Sequence, residues 1–198
     1  MKRHSIWMGL GVVLLVAVAI GAWAFQQYRT SSGDGLEGGE VALPSTQGDF
    51  SLAQLEDDQL AVLFFGYTYC PDVCPMTMAV MRQALQRLDE DVAERVMPVM
   101  ITVDPERDTL ERLEEYVGYF GESFIGARGS QEQLEDIADR YGIFWRKVEM
   151  DNSEMEYTVD HSSSLYLVDR EGRIRQRVLY SPNPHSLVVA LESELGRR

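Results

Sequence analysis

The stretch Ala61-Val62-Leu63-Phe64-Phe65-Gly66-Tyr67-Thr68-Tyr69-Cys70-Pro71-Asp72-Val73-Cys74-Pro75-Met76 decides how this chain is read. Five consecutive apolar residues, without alternation, predict a strand buried on both faces over 61–65. Met78, Met81, Leu85 and Leu88 recur at helical spacing, so a helix is predicted over 76–88, with Pro75 at its first position. Between strand and helix lie the chain's two cysteines, Cys70 and Cys74. Thiols at a helix N-terminus meet oriented backbone N–H groups, which favour thiolate over thiol. The spacing is C-x-x-x-C rather than C-x-x-C, and the extra residue moves the reading from thiol redox toward metal binding.

Downstream, the elements alternate. A second strand is predicted over 96–103. Asp108 or Thr109 caps a helix over 110–120, ended by Gly121. A short strand follows over 124–127, and Ser130 with Gln133 forms a capping-box signature for a helix over 131–141. Strands over 143–150 and 157–161 surround an acidic turn at Asp151-Asn152. Strands over 164–168 and 174–179 flank Asp169-Arg170-Glu171-Gly172, a hairpin signal. Asn183-Pro184 opens a last helix with Leu187, Val188, Leu191 and Leu195 on one face. This order predicts an α/β sheet with a mixed edge. With thiols between the first strand and helix, it is the order of a thioredoxin-like fold.

Upstream, residues 6–25 carry no charge, and 20 residues suffice to cross ~30 Å of hydrocarbon as a helix. Lys2 and Arg3 precede the run, so the N-terminus is expected to stay cytoplasmic and the rest to be exported. The run is longer than a signal-peptide core of ~7–15 residues, which favours an uncleaved anchor over cleavage at Ala22-Trp23-Ala24. Glycines at 33, 35, 38 and 39 mark a flexible tether, so the chain divides into an anchor (1–25), a linker (26–48) and one domain (49–198). Beyond the anchor 16 basic residues face 32 acidic ones, a net charge near −16 that argues against nucleic acid and anionic lipid as partners. Two cysteines are too few for a disulfide scaffold. In an oxidising compartment they would pair with each other unless kept reduced.

Soft thiolates select Cu(I) or zinc; Cu(I) is satisfied by two or three ligands, whereas structural zinc wants four. Of the three histidines, His4 lies across the membrane and His185 sits at the last helix. His161, in Asp160-His161-Ser162, immediately precedes the strand over 164–168. In a thioredoxin-like sheet that loop faces the thiol loop, so His161 is the expected partner of Cys70 and Cys74. Asp72 and Asp160 are candidates to orient these donors. A turn role competes for Asp72, and the opposite facing of strand neighbours competes for Asp160. The acids of Asp104-Pro105-Glu106-Arg107-Asp108 lie near a strand's C-terminal end, where α/β sites gather, and can equally cap the helix. Met78 and Met81 belong to core packing, and Met76 alone is expected to be accessible.

A different class of function is an extracytoplasmic thiol–disulfide oxidoreductase or peroxidase-like protein, with one cysteine attacking and the other resolving. Such proteins normally carry C-x-x-C and a cis-proline facing the pair. None of the seven prolines precedes 124–127 or 164–168, and His161 stands at the latter place. A bridge serving only as a staple would close too short a loop to contribute much.

The run 66–75, the segment Asp104-Pro105-Glu106-Arg107-Asp108-Thr109, then Val159-Asp160-His161-Ser162 and Tyr166-Leu167-Val168-Asp169 together resemble the Sco/SenC family. The resemblance covers the anchor and essentially the whole domain. It implies a thioredoxin-like mixed sheet flanked by helices, with an inserted β-hairpin and one preceding transmembrane helix. It implies a non-enzymatic copper metallochaperone of the bacterial inner membrane, with its C-terminal domain on the periplasmic side. The copper, as Cu(I) or Cu(II), would be held by Cys70, Cys74 and His161. It would pass to the binuclear copper site of cytochrome c oxidase subunit II, whose cysteines the Cys70–Cys74 pair could also reduce. Many members carry histidine immediately before the first cysteine, where this chain has Tyr69; that position is not a family ligand.

Overall fold

The computed structural model describes residues 36–150 and 156–196. The expected membrane helix over 6–25, the first part of the tether and the Asp151-Asn152 turn lie outside the described residues. Among the described residues, no helix is long and apolar enough to cross a membrane.

The end of the expected linker belongs to the domain. Residues 42–48, read above as tether, form strand β1 (Ala42–Ser45) and the turn into β2 (Gly48–Ser51), its antiparallel partner. Val41, Leu43 and Phe50 are buried. Gly38 and Gly39, read as flexibility, serve close backbone approach instead. Both have positive φ (65° and 113°), the N–H of Gly38 donates to Arg140 O at 3.0 Å, and that of Gly39 to Gly172 O at 2.8 Å. A Cβ on Gly38 would lie 2.4 Å from the Gly172 oxygen, so only glycine fits. Composition shows that glycine is present but not which backbone freedom it supplies.

A short 3-10 helix (Leu52–Gln54) leads to β3 (Leu60–Gly66), buried at every residue as its unbroken apolar run predicts. Helix α1 (Val73–Leu85) begins three residues earlier than expected, with Asp72 at its N-cap position. Pro75 is thus the third helical residue, still in the turn whose N–H groups have no helical partner. A single-turn helix α2 (Glu90–Ala93), too short for periodicity to announce, precedes β4 (Val96–Thr102). Helix α3 (Leu110–Gly118) is capped by Thr109, whose hydroxyl accepts from Arg112 N–H. Strand β5 (Ile125–Ala127) leads to α4 (Gln131–Tyr141), where the capping box of Ser130 and Gln133 forms as read.

Next come β6 (Trp145–Glu149) and β7 (Tyr157–His161), then β8 (Leu165–Val168), β9 (Ile174–Val178) and α5 (His185–Leu195). The main sheet runs β2-β1-β5-β4-β3-β8-β9. β3 pairs parallel with β4 and antiparallel with β8, so its thiol loop emerges at the sheet centre beside the loop after β4. Among the described residues β6 and β7 pair only with each other, in a separate two-stranded sheet, as an inserted hairpin. Met78 and Met81 are fully buried core residues, while Met76 is 41% exposed and accepts a contact from the Tyr180 hydroxyl at 3.7 Å.

Candidate metal centre

Cys70 hangs in the turn after β3, Cys74 sits in the first turn of α1, and His161 ends β7. Their donor atoms all lie within 4.8 Å of one another. Both cysteines are free thiols, Cys74 buried and Cys70 half-buried. The Cys74 backbone N–H points at Cys70 Sγ (3.4 Å), and Cys74 Sγ meets His161 Nε2 at 3.3 Å. His161 Nδ1 donates to the Ser162 carbonyl at 3.0 Å, which fixes the ring with Nε2 facing the thiols. Gly66 makes room for the sulfur: a Cβ there would stand 3.0 Å from Cys74 Sγ and 2.6 Å from the Phe64 ring.

The electrostatics are asymmetric. The Cys74 thiol, the His161 ring and the N–H groups of Asp72 and Cys74 push the Cys70 pKa down to about 3, the Cys74 contact contributing most, against the opposing effect of burial. Cys74 is pushed up, first by its contact with Cys70 and then by burial. The shifts run in opposite directions, favouring thiolate at the accessible sulfur and thiol at the buried one.

The two expected orienting carboxylates do not act as such. Asp72 is exposed and makes no side-chain cap; its contribution comes through its backbone N–H at Cys70. Asp160 faces away from His161 and pairs with Arg146 at 3.0 Å, because adjacent strand residues point to opposite faces. The ring nitrogen it was a candidate to hold is taken by the Ser162 carbonyl. His185 lies at the start of α5, outside the cluster, where its N–H donates to Asn183 Oδ1 at 3.0 Å; His4 lies outside the described residues.

The supporting residues were only partly legible. Asp108 does not cap α3. Fully buried, it accepts from Thr68 N–H (3.0 Å), Thr68 Oγ1 (2.6 Å) and Thr102 Oγ1 (2.6 Å), tying the thiol loop to the end of β4. Burial raises its pKa above the usual carboxylate value. The Tyr67 hydroxyl shares a hydrogen bond with Thr158 Oγ1 (2.8 Å) and accepts from Val159 N–H (3.3 Å), while its ring meets His161 edge-on. Arg107 packs its guanidinium on Tyr157 at 3.6 Å and Tyr69 at 4.8 Å. Arg107 was visible in the 104–109 motif. No sequence signal tied it to tyrosines 38 and 50 residues away.

Two thiols and one imidazole within 4.8 Å are a soft, three-donor set. That chemistry suits Cu(I) and falls one ligand short of a structural zinc site.

Residues 30–196 match the SCO1/SenC family. The chain is 32% identical over 157 residues to an SCO2-like protein of Rickettsia conorii, covering 79% of this chain and 76% of the relative. Copper-bound ScoI of Arabidopsis thaliana superposes with a TM-score of 0.73 at 31% identity, over 82% of this chain and 99% of that structure. Copper-bound ScoI of Bradyrhizobium japonicum superposes at 0.68 and 30% identity, over 80% and 99%. The central sheet with thiols at a strand-to-helix turn, the hairpin that ends in His161 and these matches make the chain a member of the SCO1/SenC family, with a thioredoxin-like fold.

Proposed function

We propose that the protein is a membrane-anchored copper metallochaperone. In this reading Cys70, Cys74 and His161 hold Cu(I) as cargo for the binuclear copper site of cytochrome c oxidase subunit II, on the periplasmic side of a bacterial inner membrane. The observation that carries the reading is the convergence of two thiols and an imidazole within 4.8 Å, in a fold shared with copper-bound relatives. Three soft donors hold a cuprous ion tightly yet leave its coordination shell open to an incoming thiolate, as cargo transfer requires. Cys70 suits release: it is the accessible donor, and its low basicity makes it the better leaving ligand. His161, fixed through Nδ1, already turns Nε2 toward the thiols, so the nitrogen that would bind copper needs no rearrangement of the ring.

The ionised Cys70 also favours a companion reaction on the acceptor. Its thiolate would attack an acceptor disulfide to form a mixed disulfide, which Cys74 would resolve. Two electrons leave this chain, which becomes the Cys70–Cys74 disulfide, and the acceptor gains a dithiol ready for copper.

The test is a Cu(I) titration of the reduced full-length chain in detergent, against a chromophoric chelator. One tight equivalent is expected, lost by more than a thousandfold in Cys70→Ser and weakened in His161→Ala. Stoichiometric tight binding by Cys70→Ser would overturn the reading.

A further inference from the structure

His161 is delivered by an element that the main sheet does not hold. Among the described residues the β6–β7 hairpin shares no strand pairing with the seven-stranded sheet. It carries few buried residues, with β6 half-buried or exposed throughout. The thiol loop, by contrast, leaves a central strand. A three-donor site split between these two bodies needs something to set the distance between them.

Arg107 is built to do this. Its Nη1 donates to the Tyr157 carbonyl in β7 at 3.0 Å, and its guanidinium lies 3.6 Å from the centre of the Tyr157 ring. The same guanidinium lies 4.8 Å from the ring of Tyr69, the neighbour of Cys70, and 5.8 Å from Tyr67, which itself packs on His161. Nε pairs with the fully buried Asp104 at 2.5 Å, and Asp104 in turn accepts from the Tyr157 hydroxyl at 2.8 Å. On its outer side Tyr69 is covered by Arg112, 3.9 Å from the ring centre. A flat cation with ring faces on several sides can link both bodies at once, which the compact ammonium of lysine cannot.

We propose that Arg107 is a positioning residue that holds the His161 hairpin against the thiol loop and so sets whether bound Cu(I) is held by two donors or three. The proposal rests on the copper-ligand reading of Cys70, Cys74 and His161. Arg107 acts through His161 and supplies no ligand itself. Removing it frees the hairpin and leaves the two thiols in place.

The experiment is a double-mutant cycle on the reduced full-length chain, with Arg107→Ala, Arg107→Lys, His161→Ala and Arg107→Ala/His161→Ala. Cu(I) affinity is read by chelator competition, and the imidazole contribution to copper X-ray absorption is read alongside. Arg107→Ala is expected to weaken Cu(I) binding roughly tenfold, the size of one or two solvent-accessible cation–π contacts. It should also lose imidazole scattering as His161→Ala does. Arg107→Lys should fall between wild type and Ala, and the double variant should bind no more weakly than His161→Ala. Full imidazole scattering in Arg107→Ala, or a further tenfold loss on the His161→Ala background, would overturn the proposal. Amide hydrogen exchange of the copper-free chain supplies a readout independent of copper. Arg107→Ala should speed exchange in β6 and β7 while leaving β3 and β4 unchanged, and unchanged hairpin exchange would likewise overturn it. Loss of binding in Cys70→Ser tests the ligand reading alone, so failure of that reading and failure of this proposal are distinguishable.

Discussion

Two hairpins of this molecule, β1–β2 and β6–β7, are attached by different forces. β1–β2 joins the main sheet through β1, which pairs with β5 at Ser45–Ala127, and buries Leu43 and Phe50 beneath it. β6–β7 forms its own small sheet and is held by side chains, Tyr67, Asp104, Arg107 and Tyr157, while its base is closed by the Ser162 N–H donating to the Phe144 carbonyl (2.9 Å) and the Phe144 N–H donating to Ser162 Oγ (3.1 Å). A ladder with buried apolar faces makes an element part of the cooperative core. Side-chain contacts to an exposed hairpin leave it able to move, and the hairpin held that way is the one that carries His161. On the copper-carrier reading proposed above, a donor set divided between a central strand end and a separately attached hairpin would grip three-coordinate cargo and still open for transfer.

The largest expected effect is on the first hairpin. A chain beginning at Asp49 loses β1, and with it the buried side chains of Val41 and Leu43. At ~1.5–3 kcal/mol for each buried side chain, the loss should reach about 4 kcal/mol, or roughly 10 °C in thermal midpoint relative to a chain beginning at Leu36. Equal midpoints by calorimetry would mean that the β1 attachment is as loose as that of the second hairpin.

Next is the tie between thiol loop and sheet. Asp108→Ala leaves the Thr68 N–H and two hydroxyls without their buried acceptor and should cost about 1–3 kcal/mol. Chemical denaturation measures this. Asp108→Asn should recover part of the loss, because one amide oxygen can replace only some of these acceptor sites.

A smaller effect sharpens the comparison from the other side. Tyr157→Phe removes the bond to Asp104 and should cost about 1 kcal/mol, read mainly as faster amide exchange in β7. If instead global unfolding shifts with exchange in β3 unchanged relative to β7, the second hairpin is part of the same cooperative unit as the first.

The last comparison sets the two thiols against each other and is the most telling for chemistry. Cys70 is depressed to about 3 from an ordinary thiol value of 9.0, whereas Cys74 is raised. For Cys70 alone, the stabilisation from its thiolate is fully present above the unfolded value near 9.0 and is lost as pH falls toward about 3. For Cys74 the sign reverses, with stabilisation present below 9.0 and lost at higher pH. The difference in stability between wild type and Cys70→Ser should therefore widen as pH rises from about 4 to about 8. Alkylation of the reduced, metal-free chain should be nearly pH-independent from about 5 to 8, where an ordinary thiol speeds about tenfold per pH unit. A tenfold slope would show that the hydrogen bonds from Cys74, Asp72 and His161 do not hold the thiolate.

Local signals carried most of the central sheet. An unbroken apolar run with a following 3.6-residue period suffices for β3 and α1, and Ser130 with Gln133 specifies the start of α4, because these features act within one or two helical turns. The short β1 strand and the glycines before it failed the same reading, since four residues are too few for periodicity and a glycine-rich segment looks alike whether loose or pinned.

For the site, sequence by itself determined which atoms are available: two thiols at a strand-to-helix turn and one imidazole before a later strand. Only the tertiary structure decided how they are held. It turned Asp160 outward onto Arg146, supplied Cys70 with backbone donors, and placed Arg107 among tyrosines up to 50 residues away. The physical reason is range: propensity, capping and pattern act along the chain over a few residues, whereas side-chain packing across elements exists only once the chain has brought them together.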